Sequence, residues 1–413
     1  MFSSVRLISS LAWNQPSPRR AWLARRLSCV AWLFALVVTP IAIAGSPVVQ
    51  GRTFIPSGTD GTFEPSVIEP FLDSSIVIAG TNDSYFRPWA AKVNPAGKTI
   101  WIYKRRSENL PDIYGKPTIE GIYVSAITMP DGSVYLCGTA PHYTGQPSSG
   151  LISHIDPMGN LISETLIHAP TNIASQSFSV KACVVTDGGI LAVGSDSWKT
   201  FEAAFVRKGE VLWQTQSDGF APFFFNHASP ERTTLKAEPN GFFVSMTDNQ
   251  KTELLRLDVN GRTRAHATLI GGYIMVRSTG ETTKTEMFGP TPVSHSGERR
   301  IVQLDDALAQ TTEATGSDPA SFEPNTVYRL PDGSLAFFGT SLHLLGRSLR
   351  AAVALTDARI TRGRVWDVPD DVESDGGRIR ASAYVRASGN FAIGRVQATP
   401  EQVGAILNLI KLK

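Results

Sequence analysis

Residues 131–139 read DGSVYLCGT, and almost the same phrase returns at residues 332–340 as DGSLAFFGT. Looser copies occupy residues 73–81 (DSSIVIAGT) and 187–195 (DGGILAVGS), and weaker ones begin at Asn240 and Ser388. Each copy is a tight turn followed by a short apolar strand and a glycine. A unit this small cannot bury its own apolar face, so the copies must stack on one another.

The spacing of the turns gives the number of units. The turns begin at positions 73, 131, 187, 240, 332 and 388, so all intervals but one measure between 53 and 58 residues. The remaining interval of 92 residues is nearly twice as long, which predicts a degenerate copy between residues 270 and 320. Its strands are expected at residues 274–276, 286–288 and 300–304. Seven units result.

A second phrase follows each turn and contains an apolar strand, an Asn or Asp, a Gly, and another strand. It is clearest at residues 91–101 (AKVNPAGKTIW), 154–161 (HIDPMGNL) and 256–262 (RLDVNGR). The glycine permits positive φ in a tight turn, and alternation with β-branched residues favours strands over helices. Each unit therefore holds four antiparallel strands, which is the pattern of a β-propeller blade.

The last unit has only three strands of its own, near residues 380–386, 390–396 and 403–412, before the chain ends at Lys413. We expect the missing outer strand to come from residues 48–55. This pairing would close the ring and remove an exposed sheet edge. The predicted fold is all-β, a β-propeller of seven four-stranded blades closed by an N-terminal strand.

The N-terminal 44 residues differ in composition from the rest of the chain. They carry five Arg and no acidic residue, and an uncharged run from Leu27 to Ala44 ends in Ala42-Ile43-Ala44. A basic region, an apolar core and a small-x-small site are typical of a secretory signal peptide. We predict that residues 1–44 are this leader and that residues 45–413 form a single propeller domain, secreted or periplasmic. The alternative is an uncleaved membrane anchor.

The leader also accounts for the apparent basic charge. The full chain has 39 Lys and Arg against 37 Asp and Glu, a net charge of +2. Without the five Arg of the leader, 34 cationic residues face 37 acidic ones, which gives about −3. Because no clustered basic face remains, a nucleic-acid partner is not expected. No membrane span is expected after cleavage.

Two cysteines, Cys137 and Cys183, follow the leader. Cys137 ends the second strand of the second unit, and Cys183 lies on the first strand of the third, so the two can be neighbours across the boundary between units. An exported protein meets oxidising conditions, which favour a disulfide. The alternative is a pair of buried free thiols that act as small apolar residues.

The second phrase resembles the repeats of bacterial secreted β-propellers of the quinoprotein-like (PQQ-like) type. Those repeats carry an Ala, an Asp, a Gly and a Trp in that order, and each Trp docks on the neighbouring blade. In residues 91–101 Asn94 stands in the place of the Asp, residues 207–213 retain the Gly and the Trp, and Trp366 is a third instance. The resemblance covers most of residues 68–413 at the level of the repeat and implies the architecture.

The quinone-dependent dehydrogenases of that type carry an adjacent cysteine pair near the cofactor. This chain has no adjacent cysteines. We therefore carry over no catalytic residue from the resemblance and expect no cofactor.

In a propeller, the loops that join the second and third strands share one face with the loops that join successive blades. Here these loops are rich in aromatic and basic side chains, which suit a protein or glycan partner because they bury large areas beside polar groups. The predicted binding residues are Tyr85, Trp89, His142, Tyr143, Trp198, Phe224, His343 and Arg347. The alternative is that these rings pack onto neighbouring loops. Residues 104–106 (KRR) are expected to form a solvated loop on the same face, and the alternative is contact with an anionic ligand such as an acidic polysaccharide.

Motifs for catalysis are absent from the sequence. It contains no Gly-x-Ser-x-Gly elbow and no His-Glu-x-x-His zinc motif, and we predict no metal site. We therefore predict a monomeric, non-catalytic binding module. The alternatives are a hydrolase or lyase that acts on extracellular glycan at the central channel, and a quinoprotein-like oxidoreductase. An enzyme of the first kind requires two carboxylates, or a His and a carboxylate, that converge on the channel.

Overall fold

The structure is a computed structural model, and its described residues belong to one compact unit, Ala44–Lys413. The described ranges are 47–57, 62–82, 87–106, 121–140, 148–168, 177–186, 188–195, 201–217, 233–247, 251–280, 284–290, 298–317, 322–343, 348–361, 363–368, 379–398 and 403–412. In these ranges the regular structure is entirely β, arranged as five sheets of four strands and one sheet of eight. The eight-stranded sheet consists of two four-stranded meanders. We label the four-stranded groups I to VII in chain order of their first strand.

Groups I to IV are four simple meanders. Group I contains β2 (Phe63–Pro70), β3 (Ile76–Asn82), β4 (Pro88–Val93) and β5 (Thr99–Lys104). Group II contains β6 (Ile122–Thr128), β7 (Val134–Ala140), β8 (Ser149–Ile155) and β9 (Leu161–Ile167). Group III contains β10 (Ser179–Thr186), β11 (Gly189–Ser195), β12 (Phe201–Arg207) and β13 (Glu210–Ser217). Group IV contains β14 (Thr233–Glu238), β15 (Gly241–Thr247), β16 (Lys251–Leu257) and β17 (Thr263–Ile270).

Groups V and VI share the sheet of eight strands, and group VII combines both ends of the described chain. Group V contains β18 (Ile274–Ser278), β19 (Thr285–Pro290), β20 (Glu298–Leu304) and β21 (Gln310–Ser317). Group VI contains β22 (Phe322–Arg329), β23 (Leu335–His343), β24 (Ser348–Thr356) and β25 (Gly363–Asp367). Group VII contains β26 (Ala381–Val385), β27 (Asn390–Ala398), β28 (Val403–Lys411) and, on its outer edge, β1 (Val48–Pro56).

The repeated Asp-Gly-Ser phrase forms the turn between the first and second strands of a group. In group II, Oδ1 of Asp131 accepts hydrogen bonds from the backbone N and the Oγ of Ser133, at 2.9 and 2.7 Å. Gly132 between them has φ +86°, a region that glycine adopts without steric cost. Asp332 and Ser334 make the same pair of contacts in group VI. The sequence repeat is thus the repeat of one turn, and it fixes where each first strand ends.

Two tryptophans of outer strands dock on the turn between the third and fourth strands of the next group. Trp101 in β5 donates its Nε1 proton to the carbonyl oxygen of Pro157 at 3.1 Å, and its ring lies against Gly159. A Cβ at Gly159 would lie 2.7 Å from Cγ of Trp101. Trp213 in β13 covers Gly261 in the same manner, with 2.4 Å from its Cη2 to an added Cβ. Glycine is required at both turns because a tryptophan of the preceding group occupies the space.

The first described strand, β1, has the position predicted for residues 48–55. It pairs antiparallel with β28, from Val48 opposite Lys411 to Pro56 opposite Gly404. Ile55 is fully buried in a core cluster that includes residues of β2, β3, β4 and β26 to β28. Group VII therefore has four strands because the two ends of the described chain combine in one sheet.

Buried apolar side chains lie between consecutive groups. Among the described residues they form seven clusters, each of which joins one group to the next. One cluster joins group VI to group VII, where the rings of Phe338 and Phe391 lie 4.7 Å apart. Another joins group VII to group I. Each group is thus packed on both faces, as expected for units that cannot fold singly, and the fold is propeller-like.

Group V is the degenerate unit expected between residues 270 and 320. Strands β18, β19 and β20 cover the three predicted segments, and β21 is a fourth strand that sequence analysis did not identify. Strand β18 also pairs in parallel with β22, with Val276 opposite Val327. The first strands of groups V and VI are therefore hydrogen-bonded to each other, whereas the antiparallel pairing of β18 with β19 is confined to Ile274 and Met275.

Residues 104–106 do not form the solvated loop predicted from their charge. Lys104 ends β5, and Arg105 is only 1% exposed. The guanidinium of Arg105 binds the carboxylate of Glu164 in β9 through two contacts, Nε to Oε1 at 3.0 Å and Nη2 to Oε2 at 3.2 Å. Ser153 Oγ donates a further hydrogen bond to Glu164 Oε1 at 2.8 Å. The prediction was wrong because the carboxylate that neutralises Arg105 comes from another group of strands.

A disulfide joins groups II and III. It links Cys137 in β7 to Cys183 in β10, with 6.4 Å between the Cα atoms, and both residues are buried. Beside it, the backbone N of Cys183 donates a hydrogen bond to Ser125 Oγ in β6 at 3.3 Å. The cross-link therefore ties the first strand of group III to the inner part of group II.

Replacing both cysteines by Ala is expected to lower the free energy of unfolding by about 3 to 4 kcal/mol. The cysteines are 46 residues apart, and a loop of that size loses roughly this much chain entropy when it is closed in the unfolded state. Guanidinium denaturation with and without reductant measures the effect. Reductant should bring the unmodified protein to the stability of the double variant and leave the variant unchanged. Equal stability of the oxidised protein and the double variant would contradict the prediction.

Candidate functional site

The first strands of all seven groups line one cavity. Its volume is about 370 Å³, within the usual range for small-molecule sites. The lining residues are Ser66, Val67, Ile68 and Glu69 of β2; Val124, Ser125, Ala126, Ile127 and Thr128 of β6; Lys181, Ala182, Cys183 and Val184 of β10; Thr233, Thr234, Leu235 and Lys236 of β14; Met275 and Arg277 of β18; Thr326 of β22; and Ala381 and Ser382 of β26. We call this cavity the channel. The described part of its wall consists of apolar and hydroxyl side chains, apart from the disulfide cysteine Cys183 and four charged residues.

The four charged residues of the described lining are Glu69, Lys181, Lys236 and Arg277. Glu69 and Lys236 occupy equivalent positions, because each stands four residues before the start of its turn, at positions 73 and 240. Arg277 belongs to the same level, since it pairs with Tyr328, which stands four residues before Asp332. Lys181 lies farther from the turn of its own group, next to a bulge in β10. The repeat thus brings side chains from distant parts of the sequence to nearly one level of the channel.

Burial in the channel changes the proton affinity of two of these groups. It raises the pKa of the Glu69 carboxyl to about 7, although the positive charge of Arg277 opposes the shift. It also lowers the pKa of the Lys181 ammonium to about 8. Both groups therefore titrate near neutral pH, and such perturbed groups in a cavity are typical of functional sites.

Tyr328 completes the polar environment of Arg277. Its hydroxyl donates a hydrogen bond to the carbonyl oxygen of Ser382 at 3.2 Å. Burial raises the pKa of Tyr328, while Arg277 opposes the shift through its charge and a hydrogen bond. The tyrosine therefore stays neutral at physiological pH, and Arg277 interacts with its hydroxyl through a hydrogen bond and with the carboxyl of Glu69 through its charge.

Trp89, which sequence analysis assigned to the binding face, is a core residue. It lies in β4, is 0% exposed, and stacks on Phe63 with the ring centroids 4.3 Å apart. Its Nε1 donates to the carbonyl oxygen of Thr81 at 2.9 Å. This prediction was wrong because the tryptophan was assigned to a loop, whereas the chain enters β4 at Pro88 and turns the ring inward.

The positions of the other predicted binding side chains are not given by the described part of the chain. His343 is the last residue of β23, and the structure describes its backbone only. The remaining six lie outside the described residues: Tyr85, His142, Tyr143, Trp198, Phe224 and Arg347. The aromatic face therefore stays a prediction.

The charged residues of the channel are not among the site residues predicted from the sequence. The available signal was a charge within a strand of apolar and hydroxyl residues, as in residues 179–186 (SVKACVVT) and 274–278 (IMVRS). A charge in such a strand also fits a solvent-facing position, since alternation alone does not say which face of a strand points to water. The distance from the repeated turn would have placed Glu69 and Lys236 at one level.

Among the described residues, no group of three or more His, Cys, Asp or Glu is arranged to hold a metal ion. The described lining of the channel contains one carboxyl group, that of Glu69. In the described part of the chain, no helix has the length and apolar character needed to cross a membrane.

Comparison with known proteins shows similarity of fold only. The sequence matches no family model and no curated protein. The structure is similar to Raptor from Chaetomium thermophilum, with a TM-score of 0.51 and 9% identity over 99% of this chain and 33% of that one. It also matches a protein of unknown function from Dyadobacter fermentans (TM-score 0.43, 11% identity, 89% of this chain and 99% of that one). A third match is the acylaminoacyl peptidase of Pyrococcus horikoshii (TM-score 0.45, 10% identity, 86% and 52%). At these identities no activity is transferred.

Proposed function

We propose that this chain is an exported, monomeric, seven-bladed β-propeller that acts as a non-catalytic binding module, with its ligand site in the channel. In this proposal each of groups I to VII is one blade, and β1 closes the ring. The quinoprotein-like resemblance of the repeats belongs to the same proposal. The observation that carries the function is the convergence of all seven first strands on one cavity that holds four charged side chains.

The composition of the channel supports binding over catalysis. Glycoside cleavage commonly uses a pair of carboxyl groups, whereas the described lining has Glu69 alone. Charged groups in a cavity are costly to the folded state, and proteins retain them where a ligand makes use of them. The aromatic loop residues outside the described ranges remain candidates for contact with a protein or glycan partner.

The Lys181→Met variant tests the proposal, because methionine keeps the apolar stem and removes the charge. Lys181 is half-buried, and desolvation disfavours its protonated form in the folded protein, so at pH 7 the variant should be more stable by about 1 kcal/mol. This gain should shrink as the pH rises from 8 to 10.5, because the folded protein then loses its proton before the unfolded chain does. In a thermal-shift screen of anionic, neutral and cationic small molecules, a ligand that raises the melting temperature of the unmodified protein should not stabilise the variant.

The matched control is Lys98→Met, which removes an exposed lysine in the turn between β4 and β5. It should keep both the original stability and the response to the ligand. If Lys181→Met unfolds more easily than the unmodified protein at pH 7, Lys181 has a structural role. If no molecule of any charge stabilises the unmodified protein, the channel is not a ligand site and the proposed function fails.

A further inference from the structure

The charges of the channel are distributed unevenly around its wall. Lys181, Lys236 and Arg277 come from β10, β14 and β18, the first strands of three consecutive groups, III to V. Glu69 comes from β2 in group I, which is not adjacent to any of these three groups in chain order. The described lining thus has a cationic wall, formed by groups III to V, and a single carboxyl group, that of Glu69, which interacts with Arg277 through its charge.

This arrangement favours a negatively charged ligand. In the described lining, three cationic side chains outnumber the one carboxyl group, and a cavity with low-dielectric walls strengthens the field that they produce. Arg277 can bind a carboxylate or a phosphate through two parallel hydrogen bonds, and the two lysines act as point charges. The hydroxyl groups of Thr233 and Thr234 belong to the same wall and can donate further hydrogen bonds.

The volume of the channel limits the size of the ligand. A water molecule occupies about 30 Å³ in the liquid, so a cavity of about 370 Å³ holds roughly a dozen non-hydrogen atoms. This is the size of a di- or tricarboxylate or of a small phosphate ester.

We propose that the channel binds a small organic anion whose carboxylate or phosphate group is held by the cationic wall of Lys181, Lys236 and Arg277. This inference rests on the proposed function and names the ligand class of the same site. No bond is made or broken. The anion supplies the negative charge that the cationic wall favours, while the uncharged part of the ligand faces the apolar and hydroxyl side chains.

The titratable groups of the channel give this binding a definite pH dependence. Among the described residues, the charged groups of the lining are Glu69, Lys181, Lys236 and Arg277, and the buried Tyr328 is a neighbour of Arg277. With rising pH, Glu69 gains a negative charge around pH 7, and Lys181 loses its positive charge around pH 8. Both changes oppose an anion, and Tyr328 and Arg277 keep their charge states throughout. The affinity for an anion should therefore fall steadily between pH 6 and pH 9.

Isothermal titration calorimetry with defined probes tests this inference. Succinate and citrate represent carboxylates, inorganic phosphate and glycerol phosphate represent phosphates, and succinamide and putrescine are the neutral and cationic counterparts. At least one anion should bind the unmodified protein, and the affinity should fall about tenfold or more in Lys181→Met and in Arg277→Gln. Lys98→Met should bind like the unmodified protein, and the affinity should be about tenfold weaker at pH 9 than at pH 6.5.

The carboxylate and phosphate series identify the source of the anionic group, because only the matching series should bind with the expected dependence on variant and pH. Binding of succinamide or putrescine in place of the anions would overturn the anion inference and leave the channel as a ligand site. The inference would also be overturned if the affinity for the anion were the same in both variants as in the unmodified protein, or if the affinity increased as the pH rises. Absence of binding by every probe, together with a negative thermal-shift screen, would overturn the proposed function as well.

Discussion

Deletion of residues 45–56 is expected to lower the free energy of unfolding by about 5 kcal/mol or more. Strand β1 pairs with β28 at eight positions, and its Ile55 is fully buried in the cluster between groups VII and I. Loss of one buried isoleucine side chain alone costs about 2 to 5 kcal/mol. The deletion also leaves the backbone of β28 as an open edge next to an apolar core, which favours aggregation.

Urea denaturation followed by tryptophan fluorescence measures this effect. Ile55→Ala is a milder variant that should lose about 2 to 5 kcal/mol and still fold. Gln50→Ala is the matched control, because Gln50 is exposed at a bulge in the pairing of β1 with β28, and it should stay within about 0.5 kcal/mol. A synthetic peptide of residues 45–56 should restore stability to the deleted chain. An unchanged melting temperature after the deletion would show that β1 does not hold the fold together.

Glu164→Ala should destabilise the protein by about 3 to 5 kcal/mol. The side chains of Arg105 and Glu164 are 0% and 2% exposed, so the substitution leaves a buried guanidinium without its carboxylate. Ser153 loses its acceptor at the same time. The double variant Arg105→Met/Glu164→Leu should recover most of the loss, because well-packed apolar side chains can replace a buried ion pair at little cost.

Chemical denaturation of both variants decides this prediction, and Lys284→Ala provides the comparison. Lys284 lies 3.3 Å from Glu313 in a far more exposed ion pair, with 55% of the lysine side chain accessible. Loss of that contact should cost less than about 1 kcal/mol. If Glu164→Ala costs no more than Lys284→Ala, the pair between groups I and II contributes nothing particular to the packing of these groups.

The strands and turns could be predicted from the sequence because the same short turn sequence occurs in several of the units. The Asp-Gly-Ser turn is made by neighbouring residues, as the contacts of Asp131 with Ser133 show, so each copy indicates the boundary of two strands. Group V was harder to recognise because its first turn lacks this phrase. In addition, its first strand, β18, pairs partly with β22, which belongs to group VI. The fourth strand, β21, was missed for the same reason: no repeated signal marks it.

The candidate site could not be predicted because it is a property of the assembled molecule. Lys181 and Arg277 are almost a hundred positions apart, and only the arrangement of the first strands around one cavity brings them to the same wall. Arg105 shows the same limit, since its partner Glu164 is 59 residues away. Trp89 was assigned to the loop between the second and third strands of its unit, and only the stacking on Phe63 identifies it as core.

The pairing of β1 with β28 has a mechanical consequence. Val48 lies opposite Lys411, so the two ends of the described chain leave the sheet side by side. A force that pulls these ends apart loads the hydrogen bonds at Val48 first. The following residue pairs of β1 and β28 are then loaded one after another, so the two strands unzip. All residue pairs of β1 and β28 thus contribute together to thermal stability, whereas only one pair at a time opposes a pulling force. Under such tension, the pair of β1 with β28 is therefore the first contact of the ring to be loaded.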